Sequence, residues 1–311
     1  MIELIYILNC HYLFVGWLVL CKLFRRARRR DPSGAREFSS NRCFPAGEMH
    51  MTMRRTFLKT VATMGIAAMS LGVASMAAAE ELDTIREAGV IRIAMSGAYP
   101  PFNFVNDQNE VVGFDPAIGT EIARRMGLEV EIITTAWDGI IAGLLTNRYD
   151  AIVGSMSITP ERDEVLHSLV GPYYTTKRAI FTLPDSGITS VSQLDDVTLG
   201  VTLGETHEEW AREQGYTIRT YRGLPELILE LQNGRVDAIV NDSIAAILAM
   251  GERDIEYVML DDLETDVIGA GIAIREGNPM LAAEMQAALD AMMEDGTYLE
   301  IAEEWVGGDI R

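Results

Sequence analysis

The sequence predicts an α/β protein with two similar lobes, each a mostly parallel β-sheet flanked by helices. From Gly89 onward, short β-rich runs alternate with helical patterns, which is typical of βαβ units. The segment LLTNRYDAIVGS at 144–155 is also similar to LQNGRVDAIVND at 231–242, with helix end, arginine, turn and strand in the same order. The 311 residues are enough for two domains of about 150 residues each. We therefore expect a duplicated α/β unit.

The first set of elements contains three strands and two helices, expected at 90–95, 115–126, 128–133, 138–148 and 150–153. In the first helix, Asp115 is expected to be the N-cap, Pro116 the first helical residue and Gly127 the C-cap. Apolar residues recur every fourth position from Ile118, so one face of this helix is buried. In the second helix, four apolar side chains are expected to face inward, namely Ile140, Ile141, Leu144 and Leu145.

The second set repeats this order. Strands are expected at 197–201, 216–221, 237–240 and 269–274. Thr206 is expected to cap a helix that ends at Gly215, and Pro225 opens a helix that ends near Gly234. Two helices at 279–294 and 297–305 complete the chain.

The charge distribution divides the chain into two chemically different parts. Residues 1–79 hold 11 basic and 4 acidic residues, whereas residues 80–311 hold 15 basic and 42 acidic residues. Such an acidic domain lacks the basic clusters that nucleic acid requires, so we expect no nucleic-acid partner. Strong negative charge favours a soluble monomer. The three cysteines all precede residue 80, which excludes disulfides and cysteine chemistry from the acidic part.

Residues 53–79 have the three parts of a signal peptide: a basic start, an apolar run and small residues before Glu80. The stretch that begins at Arg54 reads RRTFLK, which is similar to the twin-arginine export signal. An ordinary basic region of the general secretory route is the alternative. We expect cleavage after about Ala79 and a periplasmic location. No cysteine lies near that point, so a lipoprotein anchor is not expected.

Residues 1–52 do not fit this plan. Residues 4–24 are mostly apolar and long enough to span a bilayer, and a basic run follows them at 25–30. An anchor ahead of a second export signal serves no evident purpose. We expect this segment to be an upstream extension, with Met51 or Met53 as the true start, or else an N-terminal anchor.

Polar residues follow the buried strands of both sets. Gly154, Ser155 and Ser157 end one strand, and Asn241 and Asp242 end its counterpart. Ligands of open parallel sheets bind beyond the carboxyl ends of the strands. Two such sheet ends facing each other predict a polar cleft between the lobes.

The charged groups at this cleft suit a small zwitterion. The planar guanidinium of Arg162 can hold a carboxylate through two hydrogen bonds, or alternatively pairs with Glu161 or Asp163 at the surface. The helix that begins at Thr206 offers N–H groups to an anion, although plain capping is an alternative. Asp242 can accept hydrogen bonds from an ammonium, or else caps the next helix.

Aromatic side chains and the shortage of catalytic groups complete the prediction. Tyr99 and Trp137 offer aromatic faces for an aliphatic stem or a cation, unless they belong to the core. The acidic part contains two histidines, His167 and His207, and shows no metal-ligand spacing, no Ser-His-Asp order and no phosphate loop. We therefore expect that the protein has no cofactor and no metal and is not an enzyme.

Several motifs resemble the polar amino acid solute-binding proteins of ABC importers, the bacterial extracellular solute-binding proteins of family 3. The resemblance covers about 82–306. The motifs that carry it are YPPFNF at 99–104, VVGFDPAIGTEIARRMG at 111–127, WDGIIAGLLTNRYDAIVGSMSITPER at 137–162, GPYY at 171–174, G-x-T at 204–206, NGRVDAIVND at 233–242 and DGTYLEIAEEW at 295–305. It implies the type II periplasmic-binding-protein fold, a two-stranded hinge near 174–178 and 265–269, and delivery of an amino acid to a membrane permease.

The resemblance also implies the boundaries of the lobes and the roles of the residues. Lobe 1 would comprise 80–175 and 269–311, and lobe 2 would comprise 176–268. The family's motif places the α-carboxylate on Arg162 with Ser157 and Thr206, and the α-ammonium on Asp242 near Ser155. Tyr99 and Trp137 would surround the ligand side chain.

The chain departs from the family at the side-chain end of the site. Ser96 stands where many members that take cationic or amide side chains have Asp, and Gly154 replaces a serine of some members. Glu205 stands where a small residue is frequent and restores a negative charge, and His207 is placed to line the pocket. The alternative function is that of a cyclohexadienyl dehydratase on the same fold, with Glu205 or His207 as general acid.

Overall fold

The structure, a computed structural model, describes residues 80–311, with the side chains of residue 80 and residues 167–169 left aside. This part of the chain has twelve strands, β1 (Val90–Met95), β2 (Ala98–Tyr99), β3 (Asn103–Val105), β4 (Val111–Val112), β5 (Glu129–Thr134), β6 (Ala151–Ser157), β7 (Leu166–Thr182), β8 (Thr198–Thr202), β9 (Thr217–Tyr221), β10 (Ala238–Asp242), β11 (Val258–Met259) and β12 (Val267–Arg275). Its nine α-helices are α1 (Glu80–Ala88), α2 (Phe114–Arg125), α3 (Ile140–Leu145), α4 (Pro160–Asp163), α5 (Thr206–Glu213), α6 (Leu224–Gln232), α7 (Ser243–Gly251), α8 (Pro279–Glu294) and α9 (Thr297–Val306).

One large sheet runs through the described residues in the order β5-β1-β6-β12-β7-β10-β8-β9, with β11 paired to β7. β1 is parallel to β5 and β6, and we call these three the first strand group. β8 is parallel to β9 and β10, and these form the second strand group. The expected α/β fold with mostly parallel sheets is thereby confirmed. A separate small sheet contains β2, β3 and β4.

Two antiparallel strands, β7 and β12, connect the strand groups. β12 pairs with β6 and β7, and β7 pairs with β10. Within this pair, Val267 lies opposite Lys177 and Ala270 lies opposite Tyr174. The stretches in which we expected the hinge are therefore hydrogen-bonded neighbours. The sequence did not reveal the 17-residue length of β7.

The capping predicted for two helices is wrong. Helix α2 begins at Phe114, and Asp115 is its second residue rather than its cap. The first N–H groups of α2 donate instead to the carbonyls of Pro101 and Phe102. This close approach requires Gly113, where a Cβ would lie 2.5 Å from a carbonyl oxygen at a φ of 126°. Glu205, not Thr206, occupies the N-cap position of α5.

Other expectations hold with small shifts of boundary. α8 coincides with the expected 279–294. The helix expected at 138–148 is a 3₁₀ turn, Trp137–Gly139, followed by the short α3. Ile140 and Leu144 are buried as expected, whereas Leu145 is 47% exposed. Leu145 lies outside the inward face because α3 ends there and the chain turns away.

The core lies on both faces of the large sheet. The largest cluster joins Ile118 and Ile122 of α2 to β1 and to α8 and α9, and it extends to the second strand group. Two smaller clusters lie under α3 and under α5. Each fully buried aliphatic side chain stabilises the fold by about 1.5–3 kcal/mol. This packing holds the strand ends, and the polar groups beyond them, in fixed positions.

The predictions for the N-terminal part lie outside the described residues. They concern the upstream extension at 1–52, the signal peptide at 53–79 with cleavage after Ala79, the start at Met51 or Met53, and the three cysteines. Within residues 80–311, no helix combines the length and the apolar character needed to cross a bilayer.

Candidate functional site

A polar cavity lies where the carboxyl ends of β6 and β10 meet the N-terminus of α5. The structure brings all ten residues of the predicted site to its wall: Tyr99, Trp137, Gly154, Ser155, Ser157, Arg162, Glu205, Thr206, His207 and Asp242. Ser96 at the end of β1 also lines it. About 320 Å³ of space lies between these groups, open solvent at the mouth included, and it has room for about one water molecule. A ligand therefore enters only when the walls separate.

Arg162 supplies the positive charge of the cavity. It lies on the one-turn helix α4, whose N-cap Thr159 accepts a hydrogen bond from the Arg162 backbone N–H. Nη1 donates to the carbonyl of Ser157 at 2.8 Å, and the guanidinium carbon lies 5.9 Å from the centroid of the Trp137 ring. Burial lowers the pKa of Arg162, opposed mainly by the charge of Glu205. No carboxylate of the described residues lies within 4 Å, so the surface ion pair considered above is absent there.

Asp242 supplies a negative charge from the end of β10. Its Oδ2 accepts a hydrogen bond from the Tyr99 hydroxyl at 2.6 Å, and its Oδ1 is buried without a hydrogen-bond partner among the described residues. Asp242 occupies the N-cap position of α7, as the alternative expected, but its side chain makes no capping bond. An unpaired buried carboxylate oxygen is costly, and a bound ammonium would satisfy it.

His207 is a neighbour of Asp242 rather than a free pocket group. Its side chain is 2% exposed, and its Nε2 lies 3.5 Å from Oδ1 of Asp242. Its Nδ1 accepts a hydrogen bond from Nε of Arg178, whose guanidinium lies 4.9 Å from the Trp210 ring centroid. Because Arg178 only donates, the proton of the neutral imidazole is placed on Nε2, facing Asp242. His207 thus positions the acid.

The N-terminus of α5 forms the opposite wall. The backbone N–H of Gly204, just before the N-cap residue, donates to the carboxylate of Glu208 at 2.7 Å and ties this turn to the first turn of α5. The N-cap residue Glu205 makes no capping bond, and its carboxylate faces the cavity. Burial raises the pKa of Glu205 to about 7, with Asp242 adding to the rise and His207 and Arg162 opposing it.

A buried network beneath the cavity was missed by sequence reasoning. The fully buried carboxylate of Asp115 accepts hydrogen bonds from Asn103 Nδ2 at 2.6 Å, Ser155 Oγ at 2.9 Å and the Tyr173 hydroxyl at 2.6 Å. Burial raises its pKa to about 6, and these three bonds oppose the rise. The signal that could have revealed this network in the sequence is the acidic residue Asp115, three positions before Ile118 on the apolar face of α2.

The aromatic groups have different surroundings. Tyr99 is 6% exposed and its hydroxyl is bound to Asp242, and burial raises its pKa well above the usual range. Its ring lies 5.7 Å from that of Phe102. Trp137 is 9% exposed and lies beside Arg162. Tyr99 thus orients the acid, while Trp137 covers the guanidinium.

The family model of bacterial extracellular solute-binding proteins, family 3, matches residues 91–308. The L-cystine-binding protein TcyJ of Escherichia coli K12 is 32% identical over 268 residues, covering 83% of this chain and 99% of that protein. The putative ABC transporter arginine-binding protein 2 of the same strain is 32% identical over 225 residues, covering 70% and 91%.

Solved structures agree with these relatives. An ancestral amino acid-binding protein, AncCDT-1, a precursor of cyclohexadienyl dehydratase, superposes with a TM-score of 0.67 at 33% identity and covers 72% of this chain and 99% of that one. An ancestral arginine-binding protein bound to arginine gives a TM-score of 0.65 at 32% identity, covering 70% and 99%.

Fold and cavity together define a type II periplasmic binding protein. The chain belongs to the bacterial extracellular solute-binding proteins, family 3. This is a family of extracytoplasmic proteins that bind amino acids for ABC transporters, and the curated relatives are binding proteins rather than enzymes. The resemblance found in the sequence is confirmed.

Proposed function

We propose that this chain captures a polar amino acid in the cavity and delivers it to the membrane permease of an ABC importer. The observation that carries the proposal is that Arg162 and Asp242, two side chains of opposite charge, line the wall of one narrow cavity. Arg162 has no acidic partner within 4 Å among the described residues, and Asp242 keeps an unsatisfied oxygen. An α-amino acid carries the two groups that these side chains need.

The roles follow from donor and acceptor chemistry. The remaining N–H groups of Arg162 bind the α-carboxylate, helped by the Ser157 and Thr206 hydroxyls. Asp242 accepts hydrogen bonds from the α-ammonium, and the Ser155 oxygen is a further acceptor. Trp137 and Tyr99 shield these bonds from water, which strengthens them.

Binding and closure are one equilibrium in this proposal. Lobe 1 (80–175 and 269–311) carries Arg162, and lobe 2 (176–268) carries Asp242, so a ligand that needs both binds the closed form best. Two glycines lie where the lobes approach: a Cβ at Gly204 would meet Asp138 at 3.0 Å, and one at Gly223 would meet the Ala98 carbonyl oxygen at 2.6 Å. The paired segments of β7 and β12 are the hinge.

The cellular setting is part of the same proposal. The chain acts as a monomer in the periplasm after removal of 53–79, which agrees with the strongly acidic composition of 80–311. Mass spectrometry of the exported protein tests the cleavage site, and a first residue before Met51 would contradict the proposed start.

A thermal-shift screen of the purified exported protein against the standard amino acids and cystine tests the function. A ligand at 100 times its Kd stabilises the fold by about 2.7 kcal/mol, enough for a rise of several degrees. We expect such a rise with a small group of polar amino acids. No shift with any of them, together with no heat of binding in calorimetry, would contradict the proposal.

A further inference from the structure

We propose that the site selects amino acids that carry a second protonated nitrogen, and that Glu205 is the residue that selects them. This inference rests on the proposed amino acid-binding function and names the ligand class. The second nitrogen is a side-chain guanidinium or ammonium, or the second ammonium of a cystine-like double zwitterion. The cavity wall presents more hydrogen-bond acceptors than a simple zwitterion needs.

Ser155 presents an oxygen acceptor to the cavity. Its hydroxyl hydrogen is donated to the buried carboxylate of Asp115 at 2.9 Å. The lone pairs of its oxygen are therefore the part that a ligand can use. Gly154, the neighbouring residue on the wall, adds no side chain that donates.

Ser96 is turned into an acceptor by the same carboxylate. Asp115 accepts from Nδ2 of Asn103, which fixes the amide so that Oδ1 points the other way. That Oδ1 accepts the Ser96 hydroxyl and the Gly97 N–H, both at 2.8 Å. Ser96 thus donates its hydrogen outside the cavity. Its oxygen accepts the Ala98 N–H at 3.2 Å, which leaves one lone pair to accept from a ligand.

The Glu205 carboxylate adds hydrogen-bond acceptors to those of Ser155 and Ser96. The Glu205 carboxylate makes no capping bond to α5 and, among the described residues, no ion pair within 4 Å. Its charged neighbours are Arg162 and Asp242, and the His207 imidazole lies beside them.

A simple zwitterion leaves Glu205 uncompensated. Once Arg162 holds the α-carboxylate and Asp242 holds the α-ammonium, the carboxylate of Glu205 has no counter-charge, which its burial makes costly. A second protonated nitrogen removes that cost. A neutral side chain forces Glu205 to bind as the protonated acid.

The two ligand classes therefore have opposite dependence on pH. Burial raises the pKa of Glu205 to about 7, so it loses its proton in the neutral range. Affinity for a neutral ligand falls above pH 7 by up to about tenfold per unit, since binding then takes up a proton. Affinity for a cationic ligand does not fall. Asp115, whose pKa is about 6, titrates below this range, and the Nδ1 acceptor of His207 is held by Arg178.

Calorimetry on the purified exported protein tests the inference with matched ligands at pH 7.0 and 8.5. Arginine and citrulline differ by the charge of the side chain, while lysine and cystine distinguish the sources of the second nitrogen. We expect arginine or lysine to bind at least about tenfold tighter than citrulline at pH 8.5, and cystine to bind tighter than citrulline at pH 7.0, where both of its ammonium groups are protonated. In Glu205→Gln this preference shrinks to about threefold or less. Glu303→Gln, which removes an exposed acid on α9, is the control and keeps the preference.

The outcomes separate the two proposals. Equal affinity for citrulline and for every ligand with a second nitrogen, or a preference that survives in Glu205→Gln with an unchanged Tm, would overturn the selection by Glu205 and leave the amino acid-binding function standing. Absence of binding by all amino acids would overturn the function itself. Parallel pH dependence of citrulline and arginine would also contradict the inference.

Discussion

Arg162→Ala removes the one charged group that we assign to the α-carboxylate. The guanidinium makes a single protein hydrogen bond among the described residues, to the Ser157 carbonyl, which leaves its other N–H groups for the ligand. Two charge-assisted hydrogen bonds are worth about 1.5–3 kcal/mol each, so their loss costs roughly 3–6 kcal/mol of binding. This corresponds to an increase in Kd of about 10²- to 10⁴-fold.

The same substitution changes stability much less. It deletes one hydrogen bond worth about 1 kcal/mol and a contact with Trp137 worth about 0.5–1 kcal/mol. Removal of a cation whose pKa is lowered by burial offsets part of this loss. We expect a fall in Tm of no more than about 6 °C.

The assay is isothermal calorimetry with the best ligand of the screen, together with a melting curve without ligand. Arg253→Ala is the control, since Arg253 is an exposed arginine near the C-terminal end of α7. Near-normal affinity in a folded Arg162→Ala variant would refute the assignment. A loss of the same size in Arg253→Ala would show that any lost cation weakens binding.

Two further substitutions test the closure and the buried network. Gly223→Ala places a methyl group against the Ala98 carbonyl, so affinity should fall about tenfold. Gly251→Ala, with open space around it, should leave the affinity unchanged. Equal affinities of the two variants in calorimetry would contradict the contact. Because burial raises the pKa of Asp115 from 3.8 to about 6, its ionised form is disfavoured in the folded state, and wild-type stability should fall by about 3 kcal/mol relative to Asp115→Asn between pH 4 and pH 7. Urea unfolding measures this difference, and a constant value would show that Asp115 is not strained by burial.

Local patterns in the sequence predicted most of the secondary structure. Parallel strands and the helix α8 were visible because their apolar periodicity is set by nearby residues. The strand β7 was not visible, since it leaves one strand group and enters the other and so changes its surroundings along its length. The predicted fold class was right because the repeated helix-turn-strand unit is local.

The sequence predicted which residues line the cavity, but not all of their contacts. Polar residues at the ends of β6 and β10 and the family's motifs pointed to these residues, which also lie in the 3₁₀ turn, in α4 and at the start of α5. The functions of Asp115 and Glu205 depend on partners that are distant in sequence, such as Tyr173, which is 58 residues from Asp115. Capping rules favoured Asp115 and Thr206 as helix caps because local rules contain no information on such partners.

The central claim is that both charges of one zwitterion are held, one by Arg162 and one by Asp242. The most direct measurement compares the Kd of the best amino acid with that of its decarboxylated amine and of its deaminated acid. The account predicts that each loses at least about 100-fold in affinity, since each leaves a buried charge without its partner. Affinity of either analogue within a few-fold of the amino acid would contradict the claim.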